Sequence, residues 1–346
     1  MTEISNLRER IDSRLDLSAD EIFQRRVKEF RRIRIEHPRL LGIWREINQL
    51  RAEARGSIGQ EQHVLPIIGP SQSGKSIALE HYCETVIEKE DHPKGTIPLL
   101  YVRISNGSSL KQLQADILGP LVVDDNGEVV EQELDAKTQV QFRNRVKKYT
   151  KKRCCEVIAL DEAQHLITRN AGKTATAVAE SIKLMAIEGA ASFIVLGVPE
   201  TWAIFQANNK QLPLRSRPPI FLNPLDFERS HEAELFAGYV VMLDAKLVEH
   251  GITSELSGFA EGDSIPSFWE ISGGVVGIVS RLVRVAWEYA NALGLSAIPK
   301  EVLEFATDDW ALALGIARSN PFRDGPRSVR IVKEELGFKD YSGDYK

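Results

Sequence analysis

Three observations predict an α/β protein with a parallel sheet, N-terminal helices before it and a small all-helical domain after it. Short β-branched runs alternate with helix-periodic segments through the first two thirds of the chain. An eight-residue glycine-lysine-serine loop joins the first run to its helix. Beyond Pro224 the apolar residues recur only at helical spacing.

In chain order, residues 17 to 34 come first. Ser18-x-x-Glu21 reads as a capping box, and Ile22, Phe23, Val27, Phe30 and Ile33 make an amphipathic stripe better explained by core packing than by a partner groove. Val64-Leu65 and Ile67-Ile68 form the first strand, and "SIALEHYCETVIEK" the helix after the loop. Ile97 to Ser105, Val157 to Leu160 and Ala191 to Glu200 supply further strands. Three helical segments then close on Gly251, Gly294 and Gly315, each a good C-terminal stop. The expected boundaries are 1–45 for an N-terminal helical extension, 46–224 for the sheet domain, 225–316 for the lid and 317–346 for a polar tail broken by Gly and Pro.

The loop "GPSQSGKS" has the full phosphate-loop spacing between a strand and a helix. Its Gly69, Pro70, Ser71, Gln72, Ser73, Gly74, Lys75, Ser76 and Ile77 are expected to hold ATP. The backbone N–H groups and the helix N-terminus face the α- and β-phosphates, and Lys75 reaches the β- and γ-phosphates. The Ser76 hydroxyl ligates Mg2+. A second acidic site follows about 85 residues later, where "VIAL" delivers Asp161 and Glu162 at the carboxyl end of a buried strand. Asp161 is expected to hold Mg2+ through water, and Glu162 to activate the water that attacks the γ-phosphate. An acidic helix cap alone would explain the two acids, but not their pairing with the phosphate loop.

Composition limits the alternatives. With 43% hydrophobic and 27% charged residues the chain reads as an ordinary globular protein, and no apolar run approaches a membrane span. The N-terminus lacks the apolar core of a secretory signal, so a cytoplasmic location and no membrane partner are expected. Three cysteines, Cys83 and the adjacent Cys154 and Cys155, offer neither a disulfide framework nor a zinc signature. The net charge of −5 argues against a uniformly basic nucleic-acid binder, so any such contact must be local.

The order of these parts resembles an AAA+ ATPase. More narrowly, "GPSQSGKS", "VIALDEAQHL", "FIVLGVPET", "LPLRSRPPIFLNPL" and "ISGGVVGIVSRLVRVAWEYA" resemble the TnsC/TniB transposition regulators over about residues 35 to 310. That resemblance implies a homo-oligomer, a hexamer- or heptamer-like ring or a filament around double-stranded DNA, that links a target-selector protein to a transposase. It also implies an arginine finger offered to the neighbouring subunit's ATP, for which Arg215 is favoured over Arg217. The chain departs from the family twice. Gly197-Val198-Pro199 stands where a polar sensor is usual, with Glu200 close by, and the lid helix has no arginine directly after its glycines, Arg281 lying a turn further on. Both departures point to slow hydrolysis, a timing switch more than a motor.

Two basic runs are candidate DNA contacts. Arg143 to Arg153 carries seven positive residues and no acid, including Lys147 and Lys148; Arg25 to Arg34 carries six against one acid. A solvated helix face is the plainer explanation of either run. The resemblance puts pore-facing residues in "RISNGSSLKQ", where Arg103, Asn106, Ser108, Ser109 and Lys111 suit phosphate oxygens. Without an interleaved aromatic, non-specific duplex backbone contact is expected, not single-strand stacking.

Three other functions compete. A replication initiator or clamp-loader-like ATPase is expected to carry a DNA-reading domain after the lid, and about 30 residues follow Gly315. "DEAQH" suggests a helicase, but no second half of that architecture is evident. A nucleotide-gated scaffold without turnover is the third.

Overall fold

The computed structural model describes residues 8, 21–106, 109–123, 129–134, 136–167, 171–206 and 211–341. The Ser18 of the expected capping box and the Ser108 of the expected DNA loop lie outside them. The chain divides into two compact units, Arg39–Leu222 with the last residues, and Met1–Pro38 with Asn223–Asp340.

In the first unit, five strands among the described residues form one parallel sheet: β1 Val64–Ile68, β2 Leu99–Arg103, β3 Val157–Asp161, β4 Ser192–Gly197 and β5 Ile220–Phe221, in the order β2-β3-β4-β1-β5. Because every pair is parallel, the carboxyl ends share one edge, with Arg103 level with Asp161 and Ile68 level with Gly197. Strand side chains alternate between two cores. Ile158, Leu160, Phe193 and Val195 face one way, against Ile117 of α4 (Leu110–Leu121), Val146 of α5 (Gln139–Lys152) and Ile182 of α6 (Ala171–Ile187). Val157, Ala159, Ile194 and Leu196 face the other way, against Ile47 and Leu50 of α2 (Pro38–Gly56) and Leu79 of α3 (Lys75–Tyr82). The amphipathic N-terminal helix is α1 (Glu21–Arg32). A short α7 (Ala203–Gln206) follows β4.

The second unit is helical: α8 Ser230–Glu249, α9 Ser264–Ser272, α10 Val276–Ala292, α11 Lys300–Ala306, α12 Pro321–Asp324 and α13 Val329–Leu336. The stops at Gly251 and Gly294 adopt the expected left-handed backbone, with φ of 64° and 72°. Gly274 is required for packing as well. A Cβ there would lie 2.2 Å from the Leu225 carbonyl oxygen. The apolar stripe of α1 belongs to this core, with the Phe23 ring stacked on Trp287 at 5.6 Å and Phe30 beside it.

The expected domain limits shift accordingly. The sheet unit begins at Arg39, because Ile43, Ile47 and Leu50 of α2 pack on the sheet core, and α1 joins the helical unit instead. Residues 317–341, expected as a tail, are structured. Phe322 and Val332 are buried in the helical core, Arg327 pairs with the buried Glu270 at 2.7 Å, and Lys333 pairs with Asp226 at 2.9 Å. The sequence there is polar because the outer faces of these short helices meet water, while Pro321 and Phe322 of one and Val332 of the other are buried.

Candidate functional site

The phosphate loop leaves β1 at Ile68 and enters α3 at Lys75. Gln72 and Gly74 turn the chain with positive φ, 64° and 94°. The first closing bond of α3 runs from the Ala78 N–H to the Gly74 oxygen at 2.8 Å, so the amides preceding Ala78 at the helix start have no intrahelical acceptor. Gly69 is tightly enclosed, since a Cβ would lie 2.8 Å from the Leu222 oxygen and 2.9 Å from the Ser73 hydroxyl. The Lys75 ammonium is buried and donates to the Gly69 and Pro70 carbonyls, both at 2.8 Å, and to the Ser73 hydroxyl at 3.3 Å. Burial lowers its pKa to about 8, against the opposing pull of the nearby Asp161 and Glu162 carboxylates. Open amides and a desolvated cation at one helix start are a fit to a polyphosphate.

Asp161 ends β3 and is 1% exposed. One carboxylate oxygen accepts from the Tyr101 hydroxyl at 2.6 Å and the other from the Glu162 amide at 2.8 Å. Burial and the Asp161 charge push the Tyr101 hydroxyl far above the usual tyrosine range, so it stays a donor. Glu162 adopts φ 57°, ψ 37°, a left-handed conformation that costs a non-glycine residue roughly 1–2 kcal/mol. Its carboxylate accepts from the Gln164 amide and lies 3.8 Å from the Arg103 guanidinium. Ser76 and Asp161 are hard oxygen donors of the kind Mg2+ takes, and both flank the loop.

The two finger candidates differ. The Arg217 amide bonds to the Val64 oxygen at 2.8 Å, and Ser216 bridges Val64. Both arginines therefore stand at the amino-terminal edge of the sheet, a strand's length of about 13 Å from the chain's own phosphate loop. Arg217 is tied down, donating to Glu46 at 2.9 Å, to Gln49 at 2.6 Å and to Glu53. Among the described residues Arg215 pairs with Glu61 at 2.8 Å and the Gln211 carbonyl at 3.2 Å, beside Leu214, which is 83% exposed.

The DNA candidates are not brought together. Arg103, Asn106 and Lys111 are exposed at the carboxyl edge after β2, while Ser109 caps α4 by accepting from the Gln112 amide at 3.1 Å. Lys147 and Lys148 are exposed on α5, toward its C-terminal end, where Arg153 bonds to the Leu121 and Gly95 carbonyls at the other edge. Much of that basic run is engaged: Arg143 with Glu188, Arg145 and Lys148 with Glu133. Arg281 is exposed on α10. Sequence reasoning missed Gln164 and Thr201. The only signal was the polar pair flanking an empty Gly197, and the contact itself is tertiary. A Cβ at Gly197 would lie 2.0 Å from the Thr201 hydroxyl.

Among the described residues no helix is long and apolar enough to cross a membrane. Residues 58–205 match the AAA domain family. No curated protein matches the sequence. Among solved structures the chain resembles Cdc6p from Pyrobaculum aerophilum, at 14% identity and TM-score 0.56 over 90% of this chain and 86% of that one. It also resembles the Aeropyrum pernix ORC2 protein in its ADPNP-ADP complexes, at 14% identity and TM-score 0.53, over 80% of this chain and 68% of that one. The Aeropyrum pernix ORC1 protein in complex with DNA matches at the same identity and TM-score, over 80% of this chain and 66% of that one. With its phosphate loop and Asp161-Glu162 at one edge of a β2-β3-β4-β1-β5 parallel sheet, the chain has the AAA+ fold, and its residues 58–205 match the AAA domain family.

Proposed function

We propose that the chain is an ATP-hydrolysing switch that assembles on duplex DNA and, as a transposition regulator, connects a target-selector protein to a transposase. One observation supports the catalytic part: Lys75, Asp161 and Glu162 converge at one sheet edge, while Arg215 stands at the opposite edge, out of reach of its own phosphate loop, as an arginine offered to another copy's site would be. The loop amides and Lys75 bind the phosphates, Ser76 and Asp161 would hold Mg2+, and Glu162 takes the proton of the attacking water. Mg2+, when bound, supplies charge neutralisation at the β- and γ-phosphates. Arg215 of a neighbouring copy stabilises the charge that develops on the γ-phosphoryl group, a contribution of about 10³ to 10⁵ in rate where an arginine finger acts. The transposition reading rests on the sequence motifs, "GVPE" after β4 and the glycines before α10 above all.

Mixing two dead variants tests the shared site. Lys75→Ala lacks phosphate binding and Arg215→Ala lacks the finger, so each alone is inactive and the mixture recovers part of the turnover. A mixture as inactive as its components overturns the shared site. A replication-initiator reading is favoured by the likeness to Cdc6p and the ORC proteins, one of them solved with DNA. Tight binding of a monomer to one defined sequence without nucleotide would select it.

A further inference from the structure

We infer that Gln164 is the positioning residue for Glu162, filling the role that no side chain of Gly197-Val198-Pro199 can fill. The inference rests on the hydrolytic reading above. Gln164 lies in the single helical turn Ala163–Leu166 after β3, and both ends of its amide are used. Its Nε2 donates to the Glu162 carboxylate, and its Oε1 accepts from the Val198 amide at 3.3 Å, with the Thr201 hydroxyl at 3.5 Å as a weaker second donor. The turn it grips also holds the phosphate loop, because the Gly69 amide donates to the Gly197 oxygen at 3.2 Å. Glu162 is thereby referenced to Gly69 through one side chain and one backbone turn.

Glu162 needs such a tether. Its backbone is in the strained left-handed region, and its carboxylate, about one third exposed, is held among the described residues by Gln164 and the more distant Arg103. Gly197 provides the room. A Cβ there would lie 2.0 Å from the Thr201 hydroxyl and 2.8 Å from Gln164 Oε1, so a side chain on the strand end and the Gln164 bridge exclude each other. The absence of a polar residue at the end of β4 and the presence of Gln164 are one arrangement.

The test is steady-state ATP turnover and ATP affinity of Gln164→Leu, which keeps the volume and removes both hydrogen bonds. The expected result is a fall in kcat of about ten- to a hundredfold, the scale of a misplaced catalytic group, with ATP affinity unchanged within about twofold. Gly197→Ala should reproduce it by displacing the same amide. In the double variant Glu162→Gln with Gln164→Leu, turnover should be no lower than in Glu162→Gln alone, because the tether has no base left to hold. Additive losses would mean that Gln164 acts elsewhere, and loss of ATP affinity in step with kcat would mean a purely structural part; either overturns the inference. If Gln164→Leu fails to fold, Gln164→Glu, which keeps an acceptor but sets a carboxylate against Glu162, is expected to lower kcat in the same way. A wild-type chain without ATPase activity would sink the hydrolytic reading itself, whereas an active wild type with an equally active Gln164→Leu sinks only this inference.

Discussion

Lys75 illustrates what burial does to a binding residue. With its pKa at about 8 in the chain without nucleotide, its ammonium is charged at neutral pH and loses its proton just above that. Phosphates at the loop would favour the charged form, so ATP binding takes up a proton once pH passes 8. ATP affinity is therefore expected to be flat below pH 8 and to fall above it by up to about tenfold per pH unit, the limit for one coupled proton. Titration of a fluorescent ATP analogue from pH 6.5 to 9.5 measures it, and an affinity unchanged across that range would contradict the placement of Lys75. The same shift acts on stability. The folded chain holds fewer protons than the unfolded one between about 8 and the ordinary lysine value of 10.5, so the cost of burying this cation fades as pH rises through that window.

Between elements, Arg217 and Arg215, separated by a serine, differ in how far the fold engages them. Arg217 joins the entry of β5 to α2 through Glu46, Gln49 and Glu53, and the Glu46 and Glu53 contacts hold it strongly in the charged form although burial opposes this. Truncation would strip charged hydrogen bonds from partly exposed carboxylates. Arg217→Ala is expected to cost about 1–2 kcal/mol, a hydrogen-bond value discounted for solvent. Arg215→Ala, with one exposed partner, should cost under about 0.5 kcal/mol. Urea unfolding of the two variants distinguishes them, and equal midpoints would refute the difference. On the proposed reading, Arg215→Ala is expected to lose turnover with its stability kept, whereas any loss in Arg217→Ala is expected to come with a lower unfolding midpoint.

For the whole molecule, charge sets the terms of any DNA contact. A single chain of net charge −5 with a few exposed cations binds a polyanion weakly at physiological salt. Repetition of Lys111, or of Lys147 and Lys148, along an assembly raises avidity by orders of magnitude without new contacts. DNA binding is therefore expected to require ATP, to fall steeply with salt and protein dilution, and to show little sequence preference. Lys111→Glu, or Lys147→Glu with Lys148→Glu, should weaken it for every sequence while ATP affinity holds. Anisotropy of labelled duplexes across a salt series is the measurement; a variant with an unchanged salt slope clears that site of backbone contact.

The alternation of buried strands and amphipathic helices, and the phosphate loop with its Asp161-Glu162 pair, were legible because they are local. Within the loop and within the strand end, spacing along the chain sets spacing in space, and although the two lie about 85 residues apart, a parallel sheet sends every strand end to one edge. What escaped depends on residues far apart in the chain. β5 is only two residues long and pairs because β1 offers an open edge, which no local propensity announces. The grip of α2 on Arg217 spans more than 160 positions. Gln164 reaches Val198 only because β3 and β4 are neighbours. The last helices look like tail in the sequence because they bury few apolar residues, and that burial exists only once the helical core is there to receive Phe322 and Val332. The sequence by itself determined the elements and the chemistry carried on one loop and one strand end; the tertiary structure alone decided which charged side chains are spent on holding the fold and which are left for function, since pairing energies depend on distances that only the folded chain sets.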